Sequence, residues 1–194
     1  MEMSKFEKMF VNSPGHSNQV SRHAERLLER ISPEAGQSYL DVGCGNGAAP
    51  MHVAATYHLQ VTGVDVDPDQ IREAKKRSTG MDNVHFYTLN GTQLPFEDGQ
   101  FNIVATNKVM HHIPGWQSAF AEMVRVLKPG GFLIYNDLVY PKWLATIGKT
   151  LAGNWAGFPT RGVLEKLIET HQLRRVHYSP AVAQYEAVFQ KLAD

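Results

Sequence analysis

Apolar residues near the start of the chain recur at helical spacing and then give way to short apolar runs. Val20, Ala24, Leu27, Leu28 and Ile31 share one face, which predicts an amphipathic helix over Asn18–Ile31, stopped by Ser32-Pro33. The runs Ser38–Val42, Leu59–Val66, Val84–Leu89, Phe101–Thr106 and Phe132–Asn136 are strand-like in length and composition. Helical segments fall between them. One is Pro50–Thr56; the next, capped by Asp67 with Pro68 in its first position, runs to about Ser78. A third is Trp116–Leu127, with a buried stripe of Phe120, Met123, Val124 and Leu127. Lys128-Pro129-Gly130-Gly131 reads as its C-terminal stop. Val163, Leu164, Leu167, Ile168 and His171 predict another helix, capped by Thr160. Arg174–Tyr178 and Tyr185–Lys191 then read as closing strands joined around Pro180.

Strands separated by helices need crossover connections, which makes the sheet mostly parallel and covers both of its faces. The last two strands have no helix between them and are expected to pair antiparallel. The predicted fold is therefore α/β, a Rossmann-like, doubly wound, mostly parallel seven-stranded sheet with an antiparallel C-terminal pair. Ligands on such sheets bind outside the carboxyl ends of the strands, where strand order reverses.

Composition narrows the function classes. The 194 residues suffice for a single domain, and 43% hydrophobic with 20% charged residues is ordinary for a globular chain. Nineteen basic and nineteen acidic side chains give a formal net charge of zero, so nothing global attracts nucleic acid or an anionic membrane. Cys44 is the single cysteine, which excludes an internal disulfide. Charged residues interrupt Met1–Phe10, unlike a signal peptide, and no apolar stretch of about 18 residues exists to span a membrane. A cytoplasmic location is the expectation.

The strongest chemical signal is Leu40-Asp41-Val42-Gly43-Cys44-Gly45-Asn46-Gly47, in which alternate glycines stand between a strand and a helix. Glycine permits positive φ and lets a ligand touch bare backbone, and the helix start behind it offers free N–H groups. Gly43, Gly45 and Ala48 also fit the dinucleotide pattern. Asp41, two residues before the first glycine, would repel a pyrophosphate and suit a cation. Asp65 at the end of the next strand can accept hydrogen bonds from both hydroxyls of a ribose, which supports a nucleoside without choosing which.

Five segments in order carry a resemblance: Asp41–Gly47, Gly63-Val64-Asp65-Val66-Asp67-Pro68, Leu94-Pro95-Phe96-Glu97-Asp98-Gly99-Gln100-Phe101, His112-Ile113-Pro114 and Arg125-Val126-Leu127-Lys128-Pro129-Gly130-Gly131. Over Tyr39–Asn136 the chain resembles the class I S-adenosylmethionine-dependent methyltransferases, particularly small ones like those of quinone biosynthesis. The resemblance implies that the last strand inserts beside the fifth. It implies S-adenosyl-L-methionine as cofactor, with S-adenosyl-L-homocysteine as product. Gly43, Cys44, Gly45, Asn46 and Gly47 would line its methionine part, with Asp41 beneath. Asp65 and Val66 would take the ribose side; Asn90, Gly91 and Thr92 would face the adenine, and Asn107 the methionine carboxylate or methyl group. Asn90 stands where the family more often has Asp; its amide oxygen can still accept from the adenine amino group. Asn102 also replaces a usual Asp, at a position read as structural.

The whole chain, 1–194, is expected to be a single methyltransferase domain with an N-terminal helical lid (1–36), a cofactor-binding core (37–140), a segment and helix that can serve as a substrate-binding insert (141–170) and closing strands (171–194). His111 and His112 follow the fourth strand, at the edge where substrate is expected. A neutral imidazole there can take a proton from a nucleophile. Adjacent histidines diverge in a regular segment, so a shared metal is not expected. His16 is a lesser lid residue. Asp137 and Tyr140 read as a turn residue and an aromatic prop, with substrate positioning as the alternative. Pro141–Pro159, with Trp143, Trp155 and Phe158, can roof an apolar or aromatic small-molecule acceptor; Phe6, Met9, Phe10 and Val11 can close the other side or form a dimer contact. Monomer and homodimer both stay open. Two other functions remain in view: a nicotinamide-dependent oxidoreductase, and a non-catalytic adenosylmethionine-binding module.

Overall fold

A computed structural model describes residues 14–139, 159–180 and 184–193. In chain order the elements are α1 (Pro14–Leu28), β1 (Ser38–Val42), α2 (Ala48–Tyr57), β2 (Gln60–Asp65), α3 (Pro68–Arg77), β3 (Val84–Thr88), β4 (Phe101–Asn107), a 3-10 turn (Met110–His112), α4 (Trp116–Val126), β5 (Leu127–Leu138), α5 (Arg161–Thr170), β6 (Leu173–Pro180) and β7 (Gln184–Lys191). The strands form one seven-stranded sheet in the order β3-β2-β1-β4-β5-β7-β6. The first five are parallel, and β7 pairs antiparallel with both β5 and β6, so it lies beside β5 as the resemblance implied.

Alternation along each strand sends neighbours to opposite faces. Leu40, Val42, Val104, Leu133 and Tyr135 pack with Trp116, Phe120 and Met123 of α4 and Leu164 of α5. Tyr39, Val61, Ile103, Ala105 and Ile134 pack on the other face with Leu27 and Leu28 of α1, Val53 of α2 and Ile71 of α3. Strand order reverses between β1 and β4, which opens a crevice at the carboxyl edge of the sheet.

Local boundaries differ from the sequence reading in instructive places. Helix α1 begins earlier, at Pro14, and ends at Leu28, with Ser32 at φ 47° beyond it. Asp67 caps α3 as expected, accepting from the Asp69 N–H. Thr160 occupies the cap position of α5, but its side chain makes no capping hydrogen bond. The largest difference is at Lys128-Pro129-Gly130-Gly131. The helix ends at Val126, and these residues open β5 instead of closing α4. Leu127 pairs with Phe101, and the register then shifts before Ile103 meets Phe132. Gly130 at φ 77° and Gly131, where a Cβ would fall 2.7 Å from the Asn102 carbonyl, absorb that irregularity.

Candidate functional site

The turn after β1 is held from β2. The N–H groups of Gly43 and Cys44 both donate to the Val64 carbonyl, and Gly45 N–H donates to Asp65 Oδ2 at 2.9 Å. Gly43, Gly45 and Gly47 all have positive φ. Their open faces differ. A Cβ on Gly43 would lie 2.3 Å from Val109, and one on Gly47 would lie 2.6 Å from Phe86, so packing excludes side chains there. At Gly45 the nearest atom would be Gln70 Oε1 at 3.9 Å. Gly45 is thus the glycine whose backbone faces open space. Cys44 points into the core, and burial pushes its thiol well above the usual range. Asn46 is buried, and its Oδ1 accepts from the Ala48 N–H at the start of α2.

Two carboxyl groups flank this turn. Asp65 Oδ1 accepts from the Asp67 N–H at 2.9 Å while Oδ2 holds Gly45, so the acid fixes the loop from one side. Burial raises its pKa, opposed by those backbone donors. Asp41 is 6% exposed and, among the described residues, faces no partner cation. Burial, and then the nearby Asp65 charge, push its pKa up to about 7. A buried acid without a counter-ion disfavours its own charge and would favour any cation brought to it.

The third wall is the turn after β4. Val109 of this turn covers Gly43, and Ile113 lies on the Gly91 side, which places the turn directly on the glycine loop. Asp137, fully buried in β5, organises it. Its Oδ2 accepts from the N–H groups of Val109 (2.9 Å) and Met110 (2.6 Å). Its Oδ1 accepts from the Leu138 N–H and stands 2.5 Å from His111 Nδ1. The carboxylate can only accept, so Nδ1 carries the shared proton and Nε2 is left with its lone pair. Asp137 is thus not a mere turn residue, as its sequence context suggests, but the partner that orients His111. His111 and His112 do not diverge as in a regular segment: in the 3-10 turn their rings lie 3.9 Å apart, tilted by 42°. No group of three His, Cys, Asp or Glu side chains suited to a metal occurs among the described residues.

At the same edge, Asn136 Nδ2 donates to Asn107 Oδ1 at 2.6 Å, and Gln184 Nε2 donates to Asn136 Oδ1 at 2.8 Å. Helix α1 lies over this edge. A cavity between them is lined by Val20, His23, Asp41, Thr106, Asn107 and Asn136, among others. On the far side of the turn, Val66 is 66% exposed beside Asp65. Asn90 Oδ1 accepts from both the N–H and the hydroxyl of Thr92, so its acceptor is occupied and its amide hydrogens are what it presents. The oxygen is therefore not the group that accepts from an adenine amino group, contrary to the expectation from the resemblance. Asn102 lies at the opposite edge, where it receives Ser38 and Lys128 and serves the fold.

Asp41, Gly45, Asp65, Val66 and Asn107 are thus gathered on one crevice, with the His111 turn against it. Tyr140, the 141–158 segment, and Phe6, Met9, Phe10 and Val11 lie outside the described residues, as does the side chain of His16. No helix among the described residues is long and apolar enough to cross a membrane.

Comparison with known proteins agrees with this architecture. Residues 40–135 match the family model described as methyltransferase domain. The chain is 31% identical over 123 residues to 27-O-demethylrifamycin SV methyltransferase of Amycolatopsis mediterranei (strain S699), covering 62% of this chain and 45% of that one. It is 31% identical over 164 residues to a phthiotriol/phenolphthiotriol dimycocerosates methyltransferase of Mycobacterium tuberculosis (strain ATCC 25177 / H37Ra), covering 82% and 59%. The chain therefore spans about half the length of the curated relatives it matches. Among solved structures, geranyl diphosphate methyltransferase in complex with SAM superposes with a TM-score of 0.73 at 16% identity, over 93% of this chain and 92% of that one. The chain belongs to the class I S-adenosylmethionine-dependent methyltransferases.

Proposed function

We propose that this chain moves a methyl group from S-adenosylmethionine to a hydroxyl oxygen of a small-molecule acceptor. The observation that carries the cofactor half is the bare backbone of Gly45 set between two carboxyl groups, the buried Asp41 and the half-buried Asp65. The residues present fit that cofactor. A cationic ligand answers the unpaired acid at Asp41, and the open face at Gly45 leaves room where a Cβ would stand free. Adenosylmethionine supplies a methyl group already activated on a sulfonium.

The chain's own groups then have distinct tasks. Asp65 holds the Gly45 and Asp67 N–H groups, one on each oxygen, and has remaining acceptor capacity for a ribose hydroxyl. Val66 offers an exposed apolar surface to a base ring. Asn90 presents its amide hydrogens beside Gly91 and Thr92 at the adenine side. Asn107 serves the amino-acid end, its oxygen fixed by Asn136. Gly43, Cys44, Asn46 and Gly47 shape the loop.

His111 is the proposed base. Asp137 fixes the tautomer and leaves Nε2 to take the proton of an acceptor hydroxyl. An oriented base is what an alcohol or phenol needs as it becomes a nucleophile, whereas a thiolate or free amine does not. Several relatives carry O-methyltransferase names, which agrees with an oxygen acceptor. The His112 ring lies against His111 in a tilted contact and supports it.

The test is calorimetric titration with adenosylhomocysteine, followed by a panel of phenols and alcohols scored by adenosylhomocysteine release. Binding is expected, and Asp65→Ala should weaken it by about 1.5–3 kcal/mol as hydrogen bonds to a charged group are lost. Unchanged affinity in that variant removes Asp65 from the site. Binding of NADH instead would favour an oxidoreductase.

A further inference from the structure

Helix α1 contributes a polar side chain to the cavity that the glycine loop does not explain. His23 lines it together with Asp41, Asn107 and Asn136. Arg26 donates to His23 Nδ1 at 2.9 Å. A guanidinium can only donate, so Nδ1 is the acceptor and the proton of the neutral ring sits on Nε2. That Nε2 is buried without a hydrogen-bond partner. Glu186 Oε2 is 3.4 Å away but out of alignment, and its charge is met by Arg26 at 2.8 Å, with His177 3.7 Å from its other oxygen. After burial, the Glu186 charge is the largest electrostatic influence on His23, and Arg26 and then Lys108 oppose it. A buried donor with no acceptor costs free energy, and a native protein tolerates it where a ligand completes it.

Two groups on this mostly apolar lining are unmatched: Asp41 is an acid with no cation among the described residues, and His23 has a buried N–H with no acceptor. An α-amino acid has the complementary pair, an ammonium and a carboxylate on one carbon. We infer that His23 Nε2–H receives the α-carboxylate at the amino-acid end of the cofactor, in the cavity that Asp41 also lines, so that α1 is part of the binding site and not only a cover. This rests on the adenosylmethionine reading above. Val20, Ala24 and Leu27, on the apolar stripe of α1, line the same cavity beside His23. Burial lowers the pKa of His23, which keeps the ring neutral and the assigned tautomer in place.

The experiment is a cycle with one change on the ligand and one on the protein. Calorimetry compares adenosylmethionine with its decarboxylated form, which keeps the sulfonium and the amine but lacks the carboxylate. Wild type, His23→Leu and His23→Gln are titrated with each. Wild type should prefer the carboxylated ligand roughly tenfold or more, as for a hydrogen bond to a charged group. His23→Leu should lose most of that preference while binding the decarboxylated ligand nearly as wild type does. His23→Gln, which keeps an N–H donor, should recover part of it. Equal binding of both ligands by wild type, a measurement that needs no variant, would overturn the inference and leave the cofactor reading intact. An equal loss for both ligands in His23→Leu would also overturn it, by making His23 merely structural. Failure of wild type to bind either ligand would remove the adenosylmethionine reading itself, and this inference with it.

Discussion

The two edges of the sheet handle polar groups in opposite ways. At the amino edge of β1 and β4, Asn102 Oδ1 receives the Ser38 N–H, the Ser38 hydroxyl and Lys128 Nζ. Nearby, Arg125 ties Glu122 and Asp98 to the carbonyls of Leu94 and Phe96. Each strong group there meets its complement. At the carboxyl edge Asp41 is buried beside another acid, and His23 Nε2 is buried without a bond. Native proteins seldom leave such groups unmatched, so the contrast separates a scaffold from a site awaiting a ligand.

The sharpest way to break this contrast is through the one carboxyl-edge acid that is fully matched. His111→Ala should lower kcat by about 10²–10⁴-fold, the usual worth of a positioned base, with adenosylhomocysteine affinity held within about twofold. Initial rates together with titration check this. Equal activity would make His111 a packing residue. Asp137→Ala should add a stability loss of roughly 3 kcal/mol or more in urea, because it strands buried N–H donors as well as the imidazole.

The glycines provide a finer cut. Gly47→Ala places a methyl against Phe86 at a positive φ, and denaturant midpoints should show a loss of roughly 1–3 kcal/mol. Gly45→Ala meets open space, so its stability loss should stay near about 1 kcal/mol while adenosylhomocysteine binding falls at least about tenfold. At the other edge, Arg125→Ala should cost about 1–2 kcal/mol of stability and leave ligand affinity unchanged. A binding defect there would blur the division between the two edges.

Much of the fold was legible because its causes are local. Apolar runs mark β1 to β4, Asp67-Pro68 marks the start of α3, and the missing crossover marks the antiparallel closing pair. The glycine loop and the two acids were legible for the same reason. What escaped were pairings between distant segments. Lys128–Gly131 looks locally like a helix terminus, and only the Leu127–Phe101 pairing draws it into β5. The partner of His111 is 26 residues away, and that of Arg26 is 160 residues away in β7. The orientation of Asn90 was within reach, since an Asn two residues before a Thr can accept from it in an Asx turn.

The central claim, that a buried unmatched acid at Asp41 receives a cationic ligand, has a direct signature in protons. In the ligand-free protein Asp41 is raised from 3.8 to about 7, so between those values the folded state holds a proton that the unfolded chain has released. Its contribution therefore makes the free protein less stable as pH rises through that window. A bound ammonium should reverse the shift and expel the proton. Calorimetric titration with adenosylhomocysteine at about pH 6, in two buffers of different ionisation enthalpy, should show release of about one proton in wild type and almost none in Asp41→Asn. Equal proton release in both proteins, or no binding heat at all, would contradict the account.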